Sequence, residues 1–493
     1  MKPLHRIATF AAAALLSIAA AQAQDTTPVV HVDNPPNAQA QQSKHYVILV
    51  SLDGFRYDYP TKYGAPHLLS MATNGASAPD GMLPSYPSIT FPNHLTLVTG
   101  LYPEHHGIVG NTFFDPSRTP EQGQTYSYSQ PKTNGDGSWY GGTPLWVLAE
   151  QQGMRSACLF WPGSEAAIQG IRPSYYLHFD DKLDDTKRVD QVIAWLNLPP
   201  EQRPHFITLY YSNVDHAGHL YGPESEEVRA AVHHVDDMIG DLQTKLAALK
   251  LPVDLIVVAD HGMVTLKGDP INLGEFANLS GIHTDGSQIY PKDDAEAARI
   301  YAELKAHPDP RFTVYRRADV PTHLHFSETP REGDPVIVPN GPYLFVTHPI
   351  NPAASHGPLR GMHGFDPSTM PEMKAIFFAD GPDIQPNIRL QTFENVDVYP
   401  FITNILGLKS PPIDGKLATL TKALVPKSEQ HIHLRVHLDK NGTPTNVQVV
   451  EGVNEAIDQK AVEVVRRQHF KPTMKDGEPV EADIELNMKI DKF

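Results

Sequence analysis

Cysteine is almost absent: the 493-residue chain holds one, Cys158. A lone thiol excludes an internal disulfide framework and any four-cysteine zinc module. Positive charge is also short, with 40 Lys and Arg against 57 Asp and Glu and a formal net charge of −17. A nucleic-acid polymer is therefore not an expected partner, while a phosphate-bearing small molecule stays compatible if metal ions carry the positive charge. Long apolar runs are confined to the start. There Lys2, His5 and Arg6 precede an apolar stretch from Ile7 to Ala20, and Ala21-Gln22-Ala23 supplies small residues for cleavage. That pattern predicts a secretory signal peptide over residues 1–23 and a periplasmic or secreted mature protein. The run is short for spanning a bilayer, and no cysteine follows it to carry a lipid. Internal repeats are absent as well.

What remains has globular composition, 40% hydrophobic and 20% charged, and its 45 prolines and 34 glycines predict many loops. Residues 24–43 are polar and aperiodic and read as a flexible leader. From His45 onward, short apolar runs (HYVILVSLDG, RSACLFWPG, HFITLYYSNVD, VDLIVVADHG) alternate with helical patterns (LWVLAEQQG, VDQVIAWLNL, VRAAVHHVDDMIGDLQTKLAAL). Such alternation predicts an α/β fold with a mostly parallel central sheet sandwiched by helices. The rhythm breaks between about Val264 and Leu359, an expected cap insertion with one helix, and resumes at MKAIFFADGP. Residues 409–430 read as a linker behind a catalytic domain spanning 44–424. Residues 431–493 read as a separate small α+β domain, with a hairpin turning at Lys440-Asn441-Gly442.

Three predicted strands close on acidic residues: Asp53, Asp215 and Asp260-His261. In open α/β sheets functional groups gather at the carboxyl ends of strands, so these should converge. His216, His219 and His363 are further candidates. Carboxylates with imidazoles suit zinc, and less specifically manganese or iron. The number of donors allows two metal sites with open positions, as in a two-metal phosphoryl-transfer centre. Thr90 stands before Phe91-Pro92 and the helical pattern HLTLVTG. Pro92 suits a first helical turn. A helix N-terminus favours negative charge at Thr90, which makes it a nucleophile candidate beside its plainer use as a helix cap. Asn111 offers an amide that could donate to a phosphoryl oxygen.

Five motifs, SLDGFRYDY, PSYPSITFPNHLTLVTGLYPEHHGIVGN, VDHAGHLYGP, VADHGM and GMHGFDP, resemble in order and spacing the nucleotide pyrophosphatase/phosphodiesterase family of the alkaline phosphatase superfamily. The resemblance covers about residues 44–424. It implies a hydrolase with two zinc ions and a phosphorylated-threonine intermediate. One zinc would be held by Asp215, His219 and His363, the other by Asp53, Asp260 and His261, with Thr90 bridging to substrate. His216 falls outside that ligand pattern. The resemblance further implies that Phe91 and tyrosines such as Tyr176 and Tyr210 hold a nucleotide base. The chain lacks the disulfide-rich additions of animal members and the Cys/Ser-x-Pro-x-Arg motif of sulfatases. The last segment, DKNGTPTNVQVVEG to EADIEL, resembles the C-terminal domain of TonB-type periplasmic proteins, which implies an envelope protein partner or a stabilising role. Two other readings stay open at this point: a phosphate monoesterase of the same superfamily, and a non-catalytic envelope binding protein.

Overall fold

The computed structural model describes residues 27–347, 359–426, 431–452, 455–475 and 477–489. The expected signal peptide lies outside them. The chain divides between Leu424 and Val425 into two units.

The first unit is organised by Tyr46–Leu52, a strand whose seven residues are all buried. A strand buried on both faces needs apolar side chains on both, which is why YVILV runs without polar alternation. Phe206–Tyr211 and Val253–Val258 flank it, both parallel. Beyond the first, Ser156–Leu159 and Tyr175–Leu177 continue the parallel order. On the other side Phe377–Asp380 runs antiparallel, followed by the short strands Ala76–Ser77 and Ile388–Arg389. The sheet has nine strands, parallel in its centre and mixed at its margins.

Helices cover the sheet through periodic apolar faces. In Glu226–Leu249, Val228, Val232, Val235, Ile239 and Leu242 are buried, the three-and-four spacing that lines one side of a helix. Ser225 starts it by accepting from the Val228 amide.

The leader is not loose. Val30–His31 pair antiparallel with Tyr175–Tyr176 and form one edge of the sheet. Asn37, 3% exposed, donates to the carbonyls of Pro200 and Arg203, each at 2.7 Å. The reading of a flexible leader is corrected for residues 27–43: backbone pairing and one buried amide hold it, neither of which hydrophobic pattern reveals. The expected linker is shortened too. Leu420 and Ala423 are fully buried and Leu424 bridges Ile384, so the chain stays on the first unit to residue 424.

The expected insertion contains the helix Asp294–Ala306, capped by the Asp293 carboxylate accepting from the Glu296 amide at 2.8 Å. Two-stranded pairs such as Phe312–Tyr315 with Val336–Pro339 surround it. It has its own apolar core, including Ile271, Leu273, Ile289, Ile300 and Phe312.

The second unit is an antiparallel sheet of Pro444–Glu451, His431–Leu438 and Ala482–Lys489, with the helix Glu455–Arg466. Ile432, Leu434, Val436 and Leu438 alternate into its core. At the hairpin, Asp439 accepts from the amides of Asn441 and Thr443, and Gly442 takes a φ of +81°.

Candidate active site

Asp53 directly follows the central strand, and Asp260-His261 follow its parallel neighbour Val253–Val258, so both turns emerge at one end of the sheet. Asp215 arrives differently from expectation. Its strand stops at Tyr211, and Asp215 sits in the helix Asn213–Tyr221. Four residues along that helix, His219 faces the same way, and its Nε2 lies 3.3 Å from Asp215 Oδ1. Gly54 lets the parts close up. It has a φ of +66°, its amide donates to Asp260 Oδ1 at 3.1 Å, and a Cβ there would stand 2.9 Å from the Asp215 Cα.

The ligand candidates form one connected cluster. His261 Nε2 is 3.1 Å from Asp260 Oδ2, 3.5 Å from Asp53 Oδ1 and 3.3 Å from the Thr90 hydroxyl. His363 Nε2 lies 3.2 Å from His219 Nε2 and 3.7 Å from Asp215 Oδ1. The His261 and His363 rings stack at 3.5 Å. His216 instead faces Asp181 at 3.6 Å and is half exposed.

The cluster's chemistry fits cations. Asp53 Oδ1, Asp215 Oδ1 and Asp260 Oδ2 are buried without a hydrogen-bond partner, a cost of ~1–3 kcal/mol for each such group, more for a charged one. The three imidazoles turn their other nitrogen to backbone carbonyls: His219 to Gly361 at 2.9 Å, His261 to Gly262 at 2.9 Å, His363 to Ser88 at 3.0 Å. With Nδ1 donating, every Nε2 presents a lone pair inward, the orientation a metal ligand needs. Titration reflects the crowding. Burial, then the charges of Asp260 and Asp215, push Asp53 well above the carboxylate range. Burial, then His261, drives His363 down to about 3. Burial opposes the charged form of Asp215 as well, but the neighbouring His219, 3.3 Å away, outweighs it and holds Asp215 low. His261 lies within reach of two ligand groups, one with Asp53 and Asp260, the other with Asp215 and His363.

Thr90 is the first residue of the helix Thr90–Thr99, entered from an extended Ile89. Its carbonyl accepts from His94 Nδ1 at 2.8 Å, while His94 Nε2 meets the Ser51 hydroxyl at 2.8 Å. The Asn111 side-chain oxygen accepts from the Phe91 amide at 3.0 Å, which leaves its NH2 group to donate elsewhere. Phe91 is 9% exposed and packs against Tyr128 at 5.3 Å.

Two of the expected base-holding tyrosines are placed otherwise. Tyr210 donates its hydroxyl to Asp53 Oδ2 at 2.6 Å and is buried against His94, so it supports the carboxylate instead of offering a free face. Tyr176 is 6% exposed within the sheet, and the ring contact it makes is with His178. Buried strand positions spend their aromatics on packing. The exposed rings nearby are Tyr128 at 47%, and Phe179 at 52%, whose ring lies 6.2 Å from Tyr210. Sequence reading passed over these two and His94. For His94 a signal existed, since a fourth residue after Thr90 shares its helical face. A cavity of about 680 Å³ opens beside Asn111, His219 and His363.

Comparison with known proteins bears on the family of the chain. The chain matches the type I phosphodiesterase/nucleotide pyrophosphatase family over residues 47–366, and the Gram-negative bacterial TonB protein C-terminal family over residues 427–489. An uncharacterised pyrophosphatase/phosphodiesterase of Schizosaccharomyces pombe is 36% identical over 388 residues, 75% of this chain and 78% of that protein. Human ectonucleotide pyrophosphatase/phosphodiesterase family member 1 is 34% identical across 81% of this chain, which spans 44% of that longer protein. A solved structure of murine member 5, an inactive threonine-to-alanine form in complex with AMP, superposes with a TM-score of 0.70 at 29% identity, covering 78% of this chain and all of that one. The chain belongs to the type I phosphodiesterase/nucleotide pyrophosphatase family, a family of metal-dependent hydrolases.

Proposed function

We propose that this hydrolase is an exported enzyme that uses two zinc ions and Thr90 to cleave nucleotide phosphodiester or phosphoanhydride bonds. One observation carries the reading: the Thr90 hydroxyl stands at a half-buried helix N-terminus, 3.3 Å from His261 Nε2, beside three carboxylate oxygens that lack partners. Asp215, His219 and His363 would hold one zinc, and Asp53, Asp260 and His261 the other. Bound there, zinc would supply positive charge to the attacking and departing oxygens.

The chain's own groups do the rest. The Thr90 hydroxyl gives up its proton to solvent, its Oγ forms a bond to phosphorus as the bond to the departing oxygen breaks, and the departing alcohol or phosphate takes up a proton in turn. The Asn111 NH2, oriented because its oxygen is held by the Phe91 amide, donates to a non-bridging oxygen. The helix N-terminus favours the same developing charge. Water then attacks the threonine-bound nucleoside phosphate, giving its proton up as the Thr90 Oγ–phosphorus bond breaks, which releases the nucleoside monophosphate and restores the hydroxyl. The AMP held by murine member 5 supports a nucleotide as substrate. The signal-like start supports export, and the TonB-type segment supports an envelope protein partner.

The test is Thr90→Ala. Diester turnover is expected to fall by on the order of 10³-fold or more, with zinc content kept at that of the parent. Acid-quenched wild type should carry a nucleoside monophosphate esterified to residue 90. Parental turnover in the alanine variant would remove Thr90 from the mechanism.

A further inference from the structure

The strands that lead to the catalytic acids at one end carry a second cluster at the other. His45 directly precedes Tyr46–Leu52, and Asp254 is near the start of Val253–Val258. Asp254 and Asp260 are thus separated by the length of a strand, on the order of 20 Å. Asp383 reaches this second end from the turn behind the antiparallel strand Phe377–Asp380. Gly381 permits the close approach: it has a φ of +152°, and a Cβ there would stand 2.5 Å from Asp254 Oδ1 and 2.6 Å from the Asp254 Cα.

One donor atom from each of His45, Asp254 and Asp383 lies within 4.8 Å of the other two. His45 Nδ1 and Asp383 Oδ2 are 2.6 Å apart. Asp254 forms the floor of the cluster. It is fully buried, its Oδ1 accepts from the Asp383 amide at 2.9 Å, and its Oδ2 has no hydrogen-bond partner. His45 brings at most one positive charge against two carboxylates, and Asp383 already engages it. A bare, buried carboxylate oxygen beside a second carboxylate and an imidazole is a place that a cation completes.

The donor set selects the cation. Calcium and magnesium take oxygen ligands, whereas one imidazole with two carboxylates suits zinc. Zinc bonds of about 2.0–2.2 Å in a tetrahedron set the ligand atoms roughly 3.3 Å apart. The His45–Asp383 contact has to open only slightly to admit the ion, and side chains 38% and 24% exposed have room to do so. The same exposure gives the ion an entry path and water the fourth position.

We propose that His45, Asp254 and Asp383 form a further metal site, separate from the catalytic cluster, and that it takes zinc. The ion ties the entry of two central parallel strands to the turn after their antiparallel neighbour, a structural role with no part in turnover. Where zinc is withheld a proton takes its place, since burial raises the Asp254 carboxyl to about 8. Stability measured on zinc-free protein reports that protonated state.

The test is the zinc content of full-length protein equilibrated with zinc and freed of the excess, read by mass spectrometry of the metal. Asp383→Asn and His45→Gln, each checked by circular dichroism, should hold about one zinc fewer per chain than the parent, with diester turnover kept. Because the readout is a difference of one ion, it stands whatever number the catalytic cluster holds. His437→Gln is the control: its exposed pair with Asp483 at 2.7 Å has no buried third ligand, and it should lose none. Equal zinc in the parent and in Asp383→Asn overturns the proposal. So does an equal loss in His437→Gln, which marks casual surface binding, and so does a loss of turnover in step with the zinc. If the variants do not fold, the parent decides alone. Acylation of His45 by diethyl pyrocarbonate, located by peptide mapping, should be slower with zinc than with chelator, and equal rates overturn the site.

Discussion

Replacing Tyr210 by phenylalanine deletes one oxygen from a fully enclosed site. The ring stays, with its contacts to His94 at 5.4 Å and Phe179 at 6.2 Å, so the perturbation is confined to the 2.6 Å hydrogen bond to Asp53 Oδ2. Asp53 has little to fall back on. Its other oxygen has no hydrogen-bond partner, and burial together with Asp260 and Asp215 already disfavours its charge. A hydrogen bond to a charged group contributes ~1.5–3 kcal/mol, which at ~1.4 kcal/mol per decade is about 10- to 100-fold in binding. Groups supporting metal ligands act over the same range. The expected outcome is therefore a zinc affinity weaker by about 10- to 100-fold, read by competition with a chromophoric chelator at neutral pH. Circular dichroism of the metal-free variant checks that the fold is kept. A folded Tyr210→Phe protein whose zinc affinity matches the parent's would show that this bond does not tune the site.

Two further outcomes are expected. Ending the chain after Pro426 should leave zinc content and diester turnover near those of the full chain, because every candidate ligand precedes the boundary at Leu424; a folded, zinc-loaded but inactive product would show that the second unit takes part in catalysis. Asp254, on the strand beside the central one, is pushed from the ordinary 3.8 to about 8 by burial and then Asp383. The folded state thus keeps a proton that the unfolded chain releases, and this contribution to stability is lost as pH rises from about 4 to 8. Asp254→Asn keeps the acceptor for the Asp383 amide and should raise the urea midpoint at pH 8 far more than at pH 4; equal midpoint changes would refute it.

The central strands and two of the acidic turns were legible because a doubly buried strand leaves an unbroken apolar run that ends where it meets solvent. Asp53 and Asp260-His261 stand at such ends. Asp215 misled because FITLYY passes into SNVD without a glycine or proline, so the strand appeared to run on. Its four-residue spacing to His219 was the helical clue. Tyr210 could not be assigned from pattern, since the same alternation serves a core ring and a hydroxyl aimed at Asp53. The insertion showed through loss of the βα rhythm, but its cavity depends on loops meeting in space. Asn37 gave no signal, because an amide that serves distant carbonyls looks like any polar loop residue.

That docked leader has a practical consequence for handling the protein. Val30–His31 cover the outer edge of Tyr175–Leu177, and Asn37 fastens the segment through Pro200, Arg203 and the Arg155 amide. A preparation clipped or started past residue 37 would uncover the unpaired backbone groups of Tyr175–Leu177, a template for another chain. Its failing would be storage and not chemistry: fresh material would turn over substrate normally, then cloud and lose titre as molecules paired edge to edge.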